Sequence, residues 1–151
     1  MARTEEAEFW AMAVYNAIQE IPHGKVTSYG HIALLLGERT KVQPESEAKL
    51  ILQYTAQRPR QVGASLKSLP SEDSGLHFNA SSVPWQRVIN AKGMISHRGP
   101  GSAQRQADAL RLEGVVVEND SMGEMYVDFS RFGWFPKMLP SEEQEDRDKV
   151  T

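Results

Sequence analysis

Trp10, Val14, Ile18 and Ile21 recur three or four residues apart, so from Thr4 onward an apolar stripe runs down one helix that ends near Pro22. Glu5 and Glu6 stand in its first turn, where the positive end of the helix dipole favours carboxylates. A stripe of this kind must be covered by a second element, and the chain supplies one at once. His23 and Gly24 make a turn, Thr27 or Ser28 suits an N-cap, and residues 29–36 form the second helix with Gly37 as its stop. Pro59 fits the first position of a short helix in which Val62 and Leu66 point inward, while Gly63 and Ala64 allow close packing. Between these two, residues 48–57 read as a helix with Leu50, Ile51 and Tyr54 on one side.

The second half is less regular. Residues 70–82 are a Ser, Asp, Gly and Pro-rich connection, and residues 83–90 are apolar enough to be buried. Residues 91–93 turn the chain, and residues 94–101 hold too many glycines, with a proline, to be anything but an exposed loop. Ser102 caps a helix running to Glu113 and closed by Gly114. Residues 115–118 and 125–128 read as a small hairpin. Phe129, Phe132, Trp134 and Phe135 cover the helical body, and residues 140–151 are an acidic tail too poor in apolar side chains to fold. The expected fold is one mainly α-helical domain over residues 1–139, a helix-turn-helix of winged-helix type with a small β-hairpin.

A length of 151 residues is enough for one hydrophobic core without covalent staples, and the absence of cysteine removes disulfides, Cys-containing zinc sites and any thiolate nucleophile. The four histidines have no metal-ligand spacing, so neither metal nor cofactor is expected. No apolar run reaches the roughly 20 residues that cross a bilayer, and the first eight residues carry three Glu where a signal peptide needs positive charge. An intracellular, unanchored protein is expected. The net charge of −3 is unevenly spread: residues 1–48 hold 4 basic and 7 acidic side chains, residues 49–111 hold 9 and 3, and residues 112–151 hold 4 and 10. A basic middle between acidic flanks is a footprint that a polyanion would need.

Several features stand out from this background. The helices near Tyr29 and Arg60 have the order of a helix-turn-helix, whose second helix places side chains in a DNA groove. Trp85, between Pro84 and Gln86, is either core or the flat wall of a base pocket. Arg98 lies in a glycine-bracketed loop from which it can reach a ligand.

The order and spelling of five segments carry a more specific signal. IPHGKVTSYGHIALLLG (residues 21–37), RQVGASLK (60–67), VPWQRVINAKG (83–93), ISHRG (95–99) and RLEGV (111–115) together resemble the alkyltransferase-like proteins, relatives of the O6-alkylguanine DNA alkyltransferases. In the true alkyltransferases the second position of PWQRV is the alkyl-accepting Cys, followed by a His that a Glu helps to activate. Here Trp85 replaces the Cys, Gln86 replaces the His, and only Glu113 matches the activating set. An indole is a donor only and cannot stand in for a thiolate. The resemblance therefore implies a reader of O6-alkylguanine in duplex DNA that performs no alkyl transfer and has no catalytic residues.

It also implies roles. Arg60, on a minor-groove helix with Gln61 and Gly63, fills the gap left by an extruded base. Tyr29 crowds the backbone phosphate, Trp85 and Pro84 line the pocket, and Arg98, flanked by Ser96 and Gly99, lies over the adduct. Lys67, Arg87 and Lys92 are phosphate contacts by charge and position alone. The implied output is recruitment of nucleotide excision repair proteins by a monomer, located in the nucleus if the source is eukaryotic and otherwise in the cytoplasm. Rival readings are a plain helix-turn-helix module without lesion preference, a residual base-processing enzyme using Glu113 or His97, and an interaction scaffold. Where the family has a few residues between Gly37 and Arg60 this chain has 22, which marks residues 38–54 as an insertion, either a surface excursion or a retained intron. Sequencing the transcript separates the two.

Overall fold

The computed structural model describes residues 5–42 and 59–150. Helix α1 (Glu5–Ile18) is followed by strand β1 (Thr27–Ser28), helix α2 (Tyr29–Val42) and helix α3 (Pro59–Lys67). A single 3-10 turn, Trp85–Arg87, leads into strand β2 (Val88–Ile89); then come helix α4 (Ser102–Leu112), strands β3 (Glu118–Asn119) and β4 (Met125–Tyr126), and helices α5 (Phe129–Phe132) and α6 (Pro140–Val150). Helices α1, α2 and α3 pack on one another. Their mutual interior is the first apolar cluster, which includes Trp10, Val14, Ile18, Ile32, Leu36 and Val62 and is closed by Val88 and Leu139. A second cluster, built from Val26, Ile89, Ile95, Ala107, Leu110 and Val127, lies under α4 and the hairpin.

Between the two clusters runs a two-residue parallel ribbon, with Thr27 opposite Val88 and Ser28 opposite Ile89. Successive side chains of a strand face opposite ways, so Val88 enters the first cluster and Ile89 the second. Ser28 then does a second job. Its hydroxyl accepts the His31 N–H at 3.0 Å, the side-chain bond of an N-cap, so one residue ends the strand and starts α2.

Five expectations are corrected. Helix α2 does not stop at Gly37 but continues to Val42; a helical glycine costs only about 1 kcal/mol relative to alanine, less than the burial of neighbouring Leu35 and Leu36 supplies. Ser102 is the first helical residue of α4 and not its cap, which is Gly101 in the left-handed region; the Ser102 hydroxyl instead accepts the Arg98 N–H. The exposed loop starts later than residue 94. Ile95 is buried, and the Ile95 N–H donates to Met125 while the Val127 N–H donates to Gly93, so residues 93–95 line the outer edge of β4. Gly93 permits this approach: at φ +81°, a side chain there would meet the Val127 carbonyl at 2.8 Å. The hairpin itself is shorter than expected, with Val115 and Val117 buried beside it instead of paired in it.

The fifth correction concerns the acidic tail, which is helix α6. Pro140 sits in its first turn with Glu142 and Glu143, Arg147 and Lys149 stand in its last, and the Glu143–Arg147 pair is spaced i,i+4. Glu20, in the turn after α1, accepts the Ser141 N–H and hydroxyl, and Leu139, 1% exposed, anchors the chain in the first cluster. Capping and charge placement, not an apolar face, make this helix. The expected helix over residues 48–57 and most of the expected insertion fall outside the described residues.

Leu139→Ala is expected to destabilise the fold by about 2–5 kcal/mol in chemical denaturation, the usual loss for a fully buried leucine; a change under about 0.5 kcal/mol would mean that the anchor carries no weight.

Candidate functional site

The N-terminus of α2, the helix α3 and the 96–101 loop converge. Arg98 carries its guanidinium carbon 4.8 Å from the centroid of the Tyr29 ring, and its Nη1 donates to the Gly63 carbonyl of α3 at 3.5 Å. Tyr29, Gly63 and Arg98 therefore meet, although 34 and 35 residues separate them along the chain. Trp85 and Tyr29 are both half-buried and pack on the edge of the first cluster. The indole is thus part core and part surface. Tyr29 Oη is buried with no hydrogen-bond partner among the described residues.

Exposure sorts the basic residues. On α3, Arg60, Ala64 and Lys67 are exposed at i, i+4 and i+7, which is one outward stripe, while Val62, Ser65 and Leu66 are buried beneath it. Gln61 is half-buried. Lys92 is exposed on a turn held by the Asn90 side chain. Arg87 departs from expectation: its Nε donates to Glu113 at 2.9 Å, its Nη1 to the Ile21 carbonyl at 2.7 Å, and its side chain is only 15% exposed. It is committed inside the protein, where a carboxylate and a carbonyl hold it more firmly than solvent would, and is not presented to a phosphate.

Glu113 is the acceptor at the centre of this arrangement. Its two oxygens take the Gly24 N–H at 2.8 Å, the Gln86 amide at 2.6 Å and the Arg87 guanidinium at 2.9 Å. Burial by itself raises the pKa of this carboxyl, but the Gly24 N–H, the Gln86 amide and the charged Arg87 outweigh it, and the net shift is downward from 4.5. Gln86 donates an amide that does not titrate, so the pair holds a geometry and moves no proton.

The loop that bears Arg98 is tied down at several points. Ser102 Oγ accepts the Arg98 N–H at 2.8 Å, Arg105 donates to the Pro100 carbonyl at 3.1 Å, and His97 bonds Glu124 of the hairpin at 2.7 Å. Ser96 is half-buried and Gly99 exposed on this loop. Pro84 precedes Trp85 and also borders an open polar cleft of about 360 Å³ that faces Gln19 and Ser82 at the end of α1. Sequence reasoning missed Ser102 and Gly24 as partners, and it missed Gln106. The last had a legible signal, for it is a lone amide in the apolar stripe of Ala103, Ala107 and Leu110. Among the described residues no group of His, Asp and Glu is placed to hold a metal ion, and no helix is long and apolar enough to cross a membrane.

Comparison with known proteins sets this geometry in context. Residues 10–115 match the family described as 6-O-methylguanine DNA methyltransferase, DNA binding domain. Alkyltransferase-like protein 1 of Schizosaccharomyces pombe is 36% identical over 124 residues, covering 82% of this chain and 92% of that protein. The DNA base-flipping protein of Escherichia coli is 33% identical over 132 residues, covering 87% of this chain and 79% of its own. A solved structure of S. pombe Atl1 in complex with damaged DNA containing O6-carboxymethylguanine superposes with a TM-score of 0.60 at 36% identity, over 89% of this chain and all of that one.

The Glu113 geometry predicts an acid limb. Its folded pKa lies below the unfolded value of 4.5, so its contribution to stability is complete above that pH and is lost as the pH falls through the lower folded value. Denaturation curves between neutral and acid pH should be steeper in their decline for the wild type than for Glu113→Gln; superimposable acid limbs would show that the carboxylate contributes nothing.

Proposed function

Because this chain belongs to the 6-O-methylguanine DNA methyltransferase family, and within it to the alkyltransferase-like proteins, we propose that it recognises O6-alkylguanine in duplex DNA by base flipping and transfers no alkyl group. The observation that carries the reading is the meeting of Arg98, Tyr29 and the α3 residue Gly63, with Trp85 half-buried against the same apolar cluster as Tyr29, in a chain that contains no cysteine. Helix α3 offers Arg60 and Lys67 outward to the duplex, and a guanidinium inserted into the stack recovers part of the few kcal/mol that unstacking a base costs. The extruded purine then takes up a place between Trp85 and Arg98. The guanidinium that rests on the Tyr29 ring in the free protein gains a second π face, for about 1 kcal/mol by analogy with protein pairs.

The chemistry stops at binding. Dealkylation needs a soft nucleophile, and the residue at that position is an indole, while its neighbour Gln86 is engaged with Glu113. A stably marked, distorted site is then a signal for another machine. Nucleotide excision repair is the recruited process on this reading, and in a eukaryotic cell the nucleus is the place of action.

Fluorescence anisotropy on a duplex with one O6-methylguanine against its undamaged match, at two salt concentrations, tests the proposal. Preference for the lesion is expected to survive at the higher salt, which weakens only the phosphate contacts; equal binding that fades with salt would leave a plain helix-turn-helix module. Arg60→Ala should lower affinity for lesion DNA by about 1–3 kcal/mol, and unchanged affinity would refute its insertion. Trp85→Cys should remain unalkylated in mass spectrometry, since Gln86 supplies no base, and a methylated protein would prove the opposite.

A further inference from the structure

We propose that Gln106 is a positioning residue for the base pocket, its buried amide setting the orientation of Trp85 by clamping two backbone carbonyls of the Trp85 segment. Gln106 lies on α4, is 4% exposed, and is surrounded along its helix face by Ala103, Ala107 and Leu110. Its Nε2 donates to the Gln86 carbonyl at 3.1 Å and to the Val88 carbonyl at 2.9 Å. An amide in such a stripe costs desolvation unless its donors are used, and an apolar side chain of the same length would fill the space without that cost. Both donors are used here, and both on one short segment.

That segment needs an external strut. The turn that carries Trp85 is a single 3-10 turn with three backbone bonds, Trp85 N–H to Val83, Arg87 N–H to Pro84 and Val88 N–H to Trp85, none of which ties it to another element. The two clamped carbonyls lie either side of Arg87, one in the turn and one at the first residue of β2, so together they fix the twist at which the turn leaves the ribbon. Glu113 fixes the same segment through the side chains of Gln86 and Arg87. Ser102, Gln106 and Glu113 stand at i, i+4 and i+11 of α4 and its C-cap, which is one stripe along a helix. From that stripe Ser102 holds the Arg98 backbone and Gln106 holds the Trp85 turn. One helix face thus sets the spacing between the two walls of the pocket.

The inference rests on the proposed lesion recognition for its functional readout, and a spectroscopic readout without DNA keeps the two separable. Gln106→Met retains length and flexibility but has no donor, whereas Gln106→Lys returns a donor to the same place. For Gln106→Met we expect the ratio of affinities, O6-methylguanine duplex over undamaged duplex, to fall roughly tenfold while affinity for the undamaged duplex stays within about twofold, the loss of two net hydrogen bonds acting on the pocket alone. In free protein the Trp85 indole N–H resonance should move while those of Trp10 and Trp134 stay, and Gln106→Lys should restore both ratio and resonance. An unchanged indole resonance and ratio in a folded Gln106→Met protein would overturn the proposal, as would equal losses on both duplexes. Should that variant not fold, Gln106→Lys decides, by keeping the wild-type ratio or by losing it. A wild type that binds both duplexes equally defeats the lesion reading, and the indole resonance then judges Gln106 by itself.

Discussion

The carboxylate of Glu113 is where three separate pieces of chain are held together. It receives the backbone N–H of Gly24 from the turn between α1 and β1, and the side chains of Gln86 and Arg87 from the turn bearing Trp85, while the backbone N–H of the same residue closes the C-terminal end of α4. A carboxylate is suited to this because it offers up to four acceptor sites with a charge that strengthens each bond. A buried charge is tolerated only when it is paired and fully hydrogen-bonded, and here the pairing cation is itself held at its far end by the Ile21 carbonyl. The entry to α2, and with it Tyr29, is thereby referenced to the same atom pair as Trp85.

Around that hub the architecture separates two tasks. The first cluster supports the helices α1 to α3 and offers the outward stripe of Arg60 and Lys67. The second supports α4 and the loop of Arg98. The β1–β2 ribbon is only two residues long, yet its alternating side chains serve both clusters, so a shift of one would be felt in the other. Arg98 is the contact that spans the divide, touching Tyr29 of α2 and Gly63 of α3 from a loop anchored on α4. The partners of Glu113, a backbone N–H, an amide and a guanidinium, form a structural set.

The elements that were legible in the sequence are those governed by local rules. The period of Trp10, Val14 and Ile18, the N-cap at Ser28, Pro59 at the first helical position and Gly114 beyond the end of α4 each act within a turn or two of chain, and the structure has all of them. The motifs around Tyr29, Arg60, Trp85 and Arg98 were also readable, because their spelling is specific. The misreadings share another cause. Residues 94–101 read as an open loop because of Gly99, Pro100 and Gly101, but the edge of β4, some 30 residues away, gives residues 93–95 backbone partners. The tail lacks an apolar face and so reads as disordered, yet it is helical through capping by Glu20, 121 residues distant from Ser141.

The sequence by itself determined the helical class, the starts of the helices, the absence of a thiolate and the family of the chain, since composition, short-range periodicity and motif spelling are properties of neighbours along the chain. Only the tertiary structure decided which charges face outward. Arg60, Arg87 and Arg98 are indistinguishable as formal charges, yet the first is exposed, the second is consumed by Glu113 and Ile21, and the third lies on an aromatic ring. The same holds for Gln106, whose two acceptors lie 18 and 20 residues away. The physical reason is that hydrogen bonds and ion pairs act over about 3–4 Å, and which groups come within that range is set by how the two apolar clusters close.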